Sequence, residues 1–180
     1  MTVAKQPGFA IWLTGLPSSG KSTLARMVGQ RLAAQGITAQ LLDSDELRRK
    51  LTPQPTYSET ERDWFYEMVV FLAELLTSNG VNVIIAATAP RRAYRDAARD
   101  RLARFAEVYV VCPPEVCRAR DPKGLWQKAD AGEIATLPGV GIAYEPPLSP
   151  EVSVDTAEQS AEASTSHIWH YLDEKIISDE

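Results

Sequence analysis

The chain has 180 residues and a mass of 19.8 kDa, one domain's worth and enough to bury a core. With 44% hydrophobic and 24% charged residues it has the composition of a globular protein, and its longest clean apolar run, Met68 to Ala73, is far shorter than the ~20 residues that span a bilayer. The net charge of −5 argues against a nucleic-acid binder, but it is unevenly spread: residues 1–150 carry 18 basic and 16 acidic side chains, residues 151–180 one basic and eight acidic.

In chain order, Gly8 to Thr14 is a short apolar run bounded by Gly15, the pattern of a buried strand. Lys21–Gln35 places Leu24, Met27, Val28 and Leu32 at helical spacing, and Gly36 stops it. Thr38–Asp43 reads as a second strand. Ser58–Ser78 reads as a long helix opened by Ser58 with Glu61 three residues on, a capping box. Val81–Ala87 is a β-branched third strand, Arg91–Arg104 a helix, Ala106–Cys112 a fourth strand and Glu115–Arg120 a short helix. Residues 121–150, rich in proline, read as a loop of about thirty residues, long for a passive connection and therefore a lid or binding segment. Val152–Asp155 is a brief fifth strand and Ala157–Ile177 a closing helix. Strands alternating with helices predict an α/β domain over residues 1–180: a parallel sheet of about five strands with helices on both faces.

Several features have plain expectations. The basic helix bearing Arg91, Arg92, Arg95, Arg99, Arg101 and Arg104, with Asp96 and Asp100 interleaved, lacks the aromatic residues of a nucleic-acid surface, and Arg95 and Arg99 read as a solvated face. Trp64, Phe65 and Phe71 share a helix face suited to core or dimer contact. His167 and His170 read as an exposed or core-edge pair. Cys112 and Cys117, without a CxxC or a nearby histidine, read as inert thiols of a reducing cytoplasm, and no secretory signal is read at the start of the chain.

The chemistry is carried by Gly15-Leu16-Pro17-Ser18-Ser19-Gly20-Lys21-Ser22-Thr23, a full G-x-x-x-x-G-K-[ST] between a predicted strand and a predicted helix. Such a P-loop gathers phosphate oxygens on backbone N–H groups and a helix N-terminus, with Lys21 neutralising the β/γ-phosphates and Ser22 holding Mg²⁺. The fold expected is therefore that of a P-loop NTPase of nucleotide-kinase type. A phosphotransferase, a GTPase-like switch and an ATPase module all use this loop. No Asn-Lys-x-Asp for guanine occurs, and the third strand ends in Ala-Ala-Thr rather than an acid. The acids stand one strand earlier, as Asp43-Ser44-Asp45, aimed at the crevice where α/β sheets bind ligands. That favours a small kinase, with Asp45 orienting or deprotonating an acceptor hydroxyl and Asp43 organising Mg²⁺ and its waters. Asp45 before Glu46-Leu47 would equally cap a helix.

Together with the P-loop, Asp43-Ser44-Asp45 with Arg48, Tyr57-Ser58 with Arg62, and above all Arg120-Asp121-Pro122-Lys123-Gly124-Leu125-Trp126 resemble the adenylylsulfate (APS) kinase family, from about Phe9 to Thr156. The resemblance implies transfer of the γ-phosphate of ATP to the 3′-hydroxyl of adenylyl sulfate, giving 3′-phosphoadenylyl sulfate, with Mg²⁺ and a homodimer, and neither nucleic acid nor membrane as partner. It implies Asp45, Lys21 and Lys123 as the catalytic groups. Arg120 would lie near the ATP, Arg48 and Arg62 would grip the phosphosulfate, and Tyr57 would stack on the acceptor's adenine. Thr88 and the positions of Phe65 and Leu137 would complete the acceptor side.

This chain departs from the family pattern there. Glu46 and Phe65 stand where the family has Asn, Glu67 and Met68 where it has arginines, and Leu137 where it has a second stacking aromatic. Its Ser-Pro is Ala89-Pro90, which removes a serine that can be phosphorylated in some members. Another nucleotide-linked anionic acceptor, as in surface-polysaccharide modification, and a non-catalytic ATP-binding role are the alternatives these departures leave open.

Overall fold

In the computed structural model, which describes residues 6–178, the central strand β1 (Ala10–Thr14) is buried along its whole length. A parallel strand with helices over both faces has no solvated side, so its sequence is continuously apolar rather than alternating. Ile11 and Leu13 face Leu24, Val28 and Leu32 of α1 (Lys21–Ala34) and Ile168 and Leu172 of a C-terminal helix (Ala161–Leu172). Ala10 and Trp12 face the opposite layer, where Phe65, Val69 and Ala73 of a long helix (Glu59–Ser78) meet Ala98 of another (Arg92–Arg101). Fully burying one such large apolar side chain stabilises by about 1.5–3 kcal/mol, so these two layers fix the frame.

The remaining strands are β2 (Ala39–Asp43), β3 (Asn82–Ala86), β4 (Phe105–Val111) and β5 (Val152–Asp155), and the sheet order is β2-β3-β1-β4-β5 with every pairing parallel. The chain runs outward from β1 to β2, returns to β3, then crosses β1 to β4. The switch point therefore lies at β1, and its carboxyl end is where an open α/β sheet offers a ligand crevice. The register aligns Leu13 and Asp43 with Ala86, and Thr14 with Tyr109. The P-loop, the acid pair and the turn after β3 thus open on one edge.

The helices number α2 (Ser44–Leu51), α3 (Glu59–Ser78), α4 (Arg92–Arg101), α5 (Pro114–Arg120), α6 (Leu125–Asp130) and α7 (Ala161–Leu172). The segment expected as loop contains α6, whose six residues are too few to show a period. The closing helix starts at Ala161 rather than Ala157, because Asp155 accepts the amides of Ala157 and Glu158 in a turn and Ser160 caps α7; it ends in a π-helical turn, Asp173–Ile177. Ser58 caps α3 as expected, accepting from the Glu61 amide at 3.3 Å. His167 and His170 are exposed, and both cysteines are buried free thiols. Among the described residues no helix is long and apolar enough to cross a membrane.

Arg95 overturns its expected place on a solvated face: it is 1% exposed. Its guanidinium pairs with Glu107 of β4 at 2.6 Å, donates to the carbonyl of Glu145 at 2.6 Å, and also donates to the carbonyl of Ala89. One side chain thereby ties the turn after β3 to the end of the lid segment. Removing one partner of a buried pair strands the other charge. Arg95→Ala is expected to cost about 3–5 kcal/mol in urea unfolding, whereas Arg26→Ala on the exposed face of α1 should stay within about 0.5 kcal/mol.

Candidate active site

The phosphate loop must turn its N–H groups towards an anion, so its carbonyls need donors elsewhere. Gly15 has no room for a side chain: a Cβ there would stand 2.5 Å from the carbonyl oxygen of Val110 and 2.9 Å from Ser19 Oγ. Lys21 folds back over the loop and donates to the carbonyls of Gly15 at 3.0 Å and Leu16 at 2.7 Å. The Trp126 indole N–H donates to the Pro17 carbonyl at 3.1 Å, and the Thr156 hydroxyl donates to the Ser19 carbonyl at 2.8 Å. Arg120 holds Thr156 in turn, donating to its hydroxyl at 3.1 Å and to its carbonyl. Gly20 is the N-cap of α1, so the loop feeds directly into a helix N-terminus beginning with Lys21, Ser22 and Thr23.

Ser22 and Asp43 meet across the mouth of the loop. The Ser22 hydroxyl donates to Asp43 Oδ2 at 2.7 Å, and Asp43 Oδ1 accepts the Asp45 amide at 2.9 Å. The residue capping α2 is therefore Asp43, which leaves the Asp45 side chain available; the alternative reading of Asp45 as a cap does not hold. A hydroxyl and a carboxylate beside a phosphate loop suit Mg²⁺, which takes one or two protein oxygens and completes its shell with phosphates and water. The Asp45 carboxylate pairs with Lys123, 78 residues away in the chain. Lys123 sits in the turn between α5 and α6, closed by the Gly124 amide on the Asp121 carbonyl at 3.0 Å and by Asp121 Oδ2 accepting from the Gln127 amide at 3.0 Å.

A basic wall stands beside this pair. Arg48 is nearly buried, pairs with Glu61 at 3.1 Å, and lies 3.9 Å over the ring of Phe65 and 4.8 Å from that of Tyr57. Arg62 donates to the Tyr57 carbonyl at 3.0 Å and the Thr136 carbonyl at 2.6 Å. Tyr57 is exposed and sits at φ 53°, a conformation few side chains adopt without support. Glu61 supplies that support. It does not reach back to Ser58, as a capping box would. Its carboxylate instead accepts from the Thr56 amide and hydroxyl at 2.5 and 2.7 Å and from the Tyr57 amide at 3.3 Å. Burial works to raise its pKa, but those hydrogen bonds and Arg48 outweigh it and hold the carboxyl below its usual value. Glu61 is the site residue that spacing alone misassigned.

Two expected acceptor contacts are corrected. Phe65 is fully buried in the layer beneath β1, its ring covered by Arg48, so it supports that arginine rather than facing a ligand. Leu137 is buried in one cluster with Trp126 and Ala129 of the lid segment and Cys117 of α5, and offers no stacking surface. Thr88 is half-buried, its carbonyl accepting from the Thr14 hydroxyl at 2.7 Å.

Burial pushes the Lys21 ammonium down to about 8. An arriving polyphosphate favours the charged form, so binding above about pH 8 should take up protons at this group, and binding well below it should take up far fewer. Calorimetry of MgADP binding in buffers of different ionisation enthalpy measures the uptake, which Lys21→Met should abolish.

Known proteins resemble the chain along most of its length. A family model described as adenylylsulphate kinase matches residues 7–155. The adenylyl-sulfate kinase of Rippkaea orientalis is 42% identical over 170 residues, 94% of each chain. The probable adenylyl-sulfate kinase of Archaeoglobus fulgidus is 46% identical over 148 residues, 82% of this chain and 96% of its own. Among solved structures, the APS kinase CysC of Mycobacterium tuberculosis in complex with AMPPNP and APS superposes with a TM-score of 0.87 at 33% identity, covering 93% of this chain and 98% of its own.

Proposed function

Because the chain belongs to the adenylylsulphate kinase family, we propose that it transfers the γ-phosphate of ATP to the 3′-hydroxyl of adenylyl sulfate, giving 3′-phosphoadenylyl sulfate and ADP. The observation that carries the reading is the meeting of Asp45 and Lys123 at the mouth of the phosphate loop, where an acid and a cation are needed on either side of the transferred group. A relative of the same fold has been solved with AMPPNP and APS together, which favours this acceptor over another nucleotide-linked anion.

The chemistry then runs through few groups. Residues 15–23 and Arg120 hold ATP, with Lys21 on its β- and γ-phosphates. Ser22 and Asp43 would hold Mg²⁺, which when bound would draw charge from the phosphate oxygens. Asp45 orients the 3′-hydroxyl and accepts its proton as the oxygen attacks the γ-phosphorus and the bond to the β-phosphate oxygen breaks. Lys123 leaves Asp45 for the charge on the transferred phosphoryl. Arg48 and Arg62 face the acceptor's phosphosulfate, where a planar guanidinium can donate two hydrogen bonds at once. Tyr57 stacks on the adenine from one side. Thr88 borders the acceptor. With two acceptor contacts turned inward, positioning falls mainly to Tyr57 and the arginines.

The chain assembles as a homodimer through α3 in this reading. Trp64, Phe71 and Leu75 are 45, 47 and 49% exposed and, with Met68, recur at intervals of four, three and four residues, the spacing of a helix-packing seam. The acids beside the seam, Glu67 and Glu74, are engaged by Arg101 of their own chain. The cytoplasm, which supplies ATP and keeps thiols reduced, suits the reaction and the two free cysteines.

ADP release with ATP, Mg²⁺ and a panel of nucleotide acceptors tests the assignment: adenylyl sulfate should stimulate release, and silence with every acceptor would leave an ATP-binding protein without kinase activity. Asp45→Asn should lower kcat by ~10²–10⁴-fold with the KM for ATP nearly unchanged; equal losses in both would make Asp45 structural. Phe71→Glu should convert the dimer to a folded monomer in sedimentation, and an unchanged mass would remove α3 from the interface.

A further inference from the structure

We infer that Trp126 is a positioning residue for phosphoryl transfer: its indole N–H registers the lid helix α6 against the phosphate loop and so sets Lys123 opposite Asp45. The inference rests on the kinase reading of the site given above.

Trp126 is fully buried, and its N–H donates to the carbonyl of Pro17, 109 residues earlier and in the middle of the phosphate loop. A core position would have been filled equally well by an aromatic without a donor; a buried indole N–H needs a partner, and here it has one whose orientation matters. The Pro17 carbonyl must point away from the bound phosphates, and Trp126 is the side chain that receives it. Around the ring the packing leaves little slack. Leu16 of the loop joins Leu137, Cys117 and Ala129 in the same cluster. Gly139, at φ 94°, passes so close that a Cβ would lie 2.9 Å from Leu16 and 3.1 Å from the indole. Arg118 lies 4.9 Å over the indole and is held by Asp130 at the far end of α6 at 2.8 Å.

Lys123 stands three residues before Trp126, across the Gly124 cap and within the turn that Asp121 closes on Gln127. Only this short, tightly bonded segment separates the indole from the ammonium that meets Asp45. The loop that holds ATP and the lysine that meets the transferred phosphoryl are thus joined at the indole, through its hydrogen bond to Pro17 and its packing with Leu16. The consequence falls on the transition state more than on nucleotide binding, because the Ser19 amide holds the Leu16 carbonyl and Thr156 holds the Ser19 carbonyl without the indole.

The experiment is a double-mutant cycle between Trp126→Phe, which keeps an aromatic ring and removes the N–H, and Lys123→Ala. With ATP, Mg²⁺ and adenylyl sulfate, Trp126→Phe alone should lower kcat about tenfold and leave the KM for ATP within about threefold. In the Lys123→Ala background it should change kcat by less than about twofold, since the residue acts through that lysine. An unchanged kcat in the single variant, a KM effect without a kcat effect, or the full loss again in the Lys123→Ala background would each overturn the inference. If Trp126→Phe does not fold, β-(3-benzothienyl)alanine at position 126, which keeps the bicyclic shape and lacks the N–H, takes its place with the same outcomes. Failure of the kinase reading is distinct: the unaltered protein would show no acceptor-dependent ADP release.

Discussion

A loop that presents its amides to phosphate must dispose of its carbonyls, and that requirement organises much of the molecule. The Gly15 and Leu16 carbonyls are taken by Lys21, the Pro17 carbonyl by Trp126 and the Ser19 carbonyl by Thr156. The donors come from the start of α1, from the lid and from the end of β5, three segments that only the parallel sheet brings together. An unpaired buried carbonyl costs about 1–3 kcal/mol, so each of these contacts also holds its own segment in place. Gly15 makes the arrangement possible, since any side chain there would collide with the backbone of β4.

The same economy operates on the acceptor side. Glu61 gathers the Thr56 and Tyr57 amides and pairs with Arg48, while Arg48 lies across Phe65 and Tyr57. The wall is well braced because a half-buried carboxylate, two arginines and two aromatic rings each have a partner. In the proposed reaction such bracing is useful, since phosphoryl transfer depends on positioning and charge rather than on covalent chemistry by the protein. Asp43 links the two sides, with one oxygen on Ser22 beside the phosphates and the other on the Asp45 amide.

Most of the frame was legible in the sequence, because apolar runs and glycine stops report local structure directly. β1, the phosphate loop and α1 lie where strand, motif and helical spacing put them, and the order of the elements follows from their alternation. What escaped depends on contacts between distant residues. Arg95 sits in a run that reads as solvated, yet Glu107 on a strand twelve residues later draws it inside. Phe65 was expected at the acceptor, but burial depends on the layer it faces, which no local pattern states. Glu61 matched a capping box, and its carboxylate turned to residues before the cap instead. α6 was too short to carry a period, and nothing in the sequence around Trp126 points to Pro17, 109 residues earlier, as its partner.

The central claim is that a phosphoryl group passes to one particular hydroxyl. Phosphorus NMR of the reaction mixture with ATP, Mg²⁺ and adenylyl sulfate tests it most directly. The account predicts a new phosphomonoester resonance coupled to the ribose 3′-proton, growing in step with ADP while the phosphosulfate resonance is unchanged. ADP accompanied only by inorganic phosphate, or a phosphomonoester on another position, would contradict it.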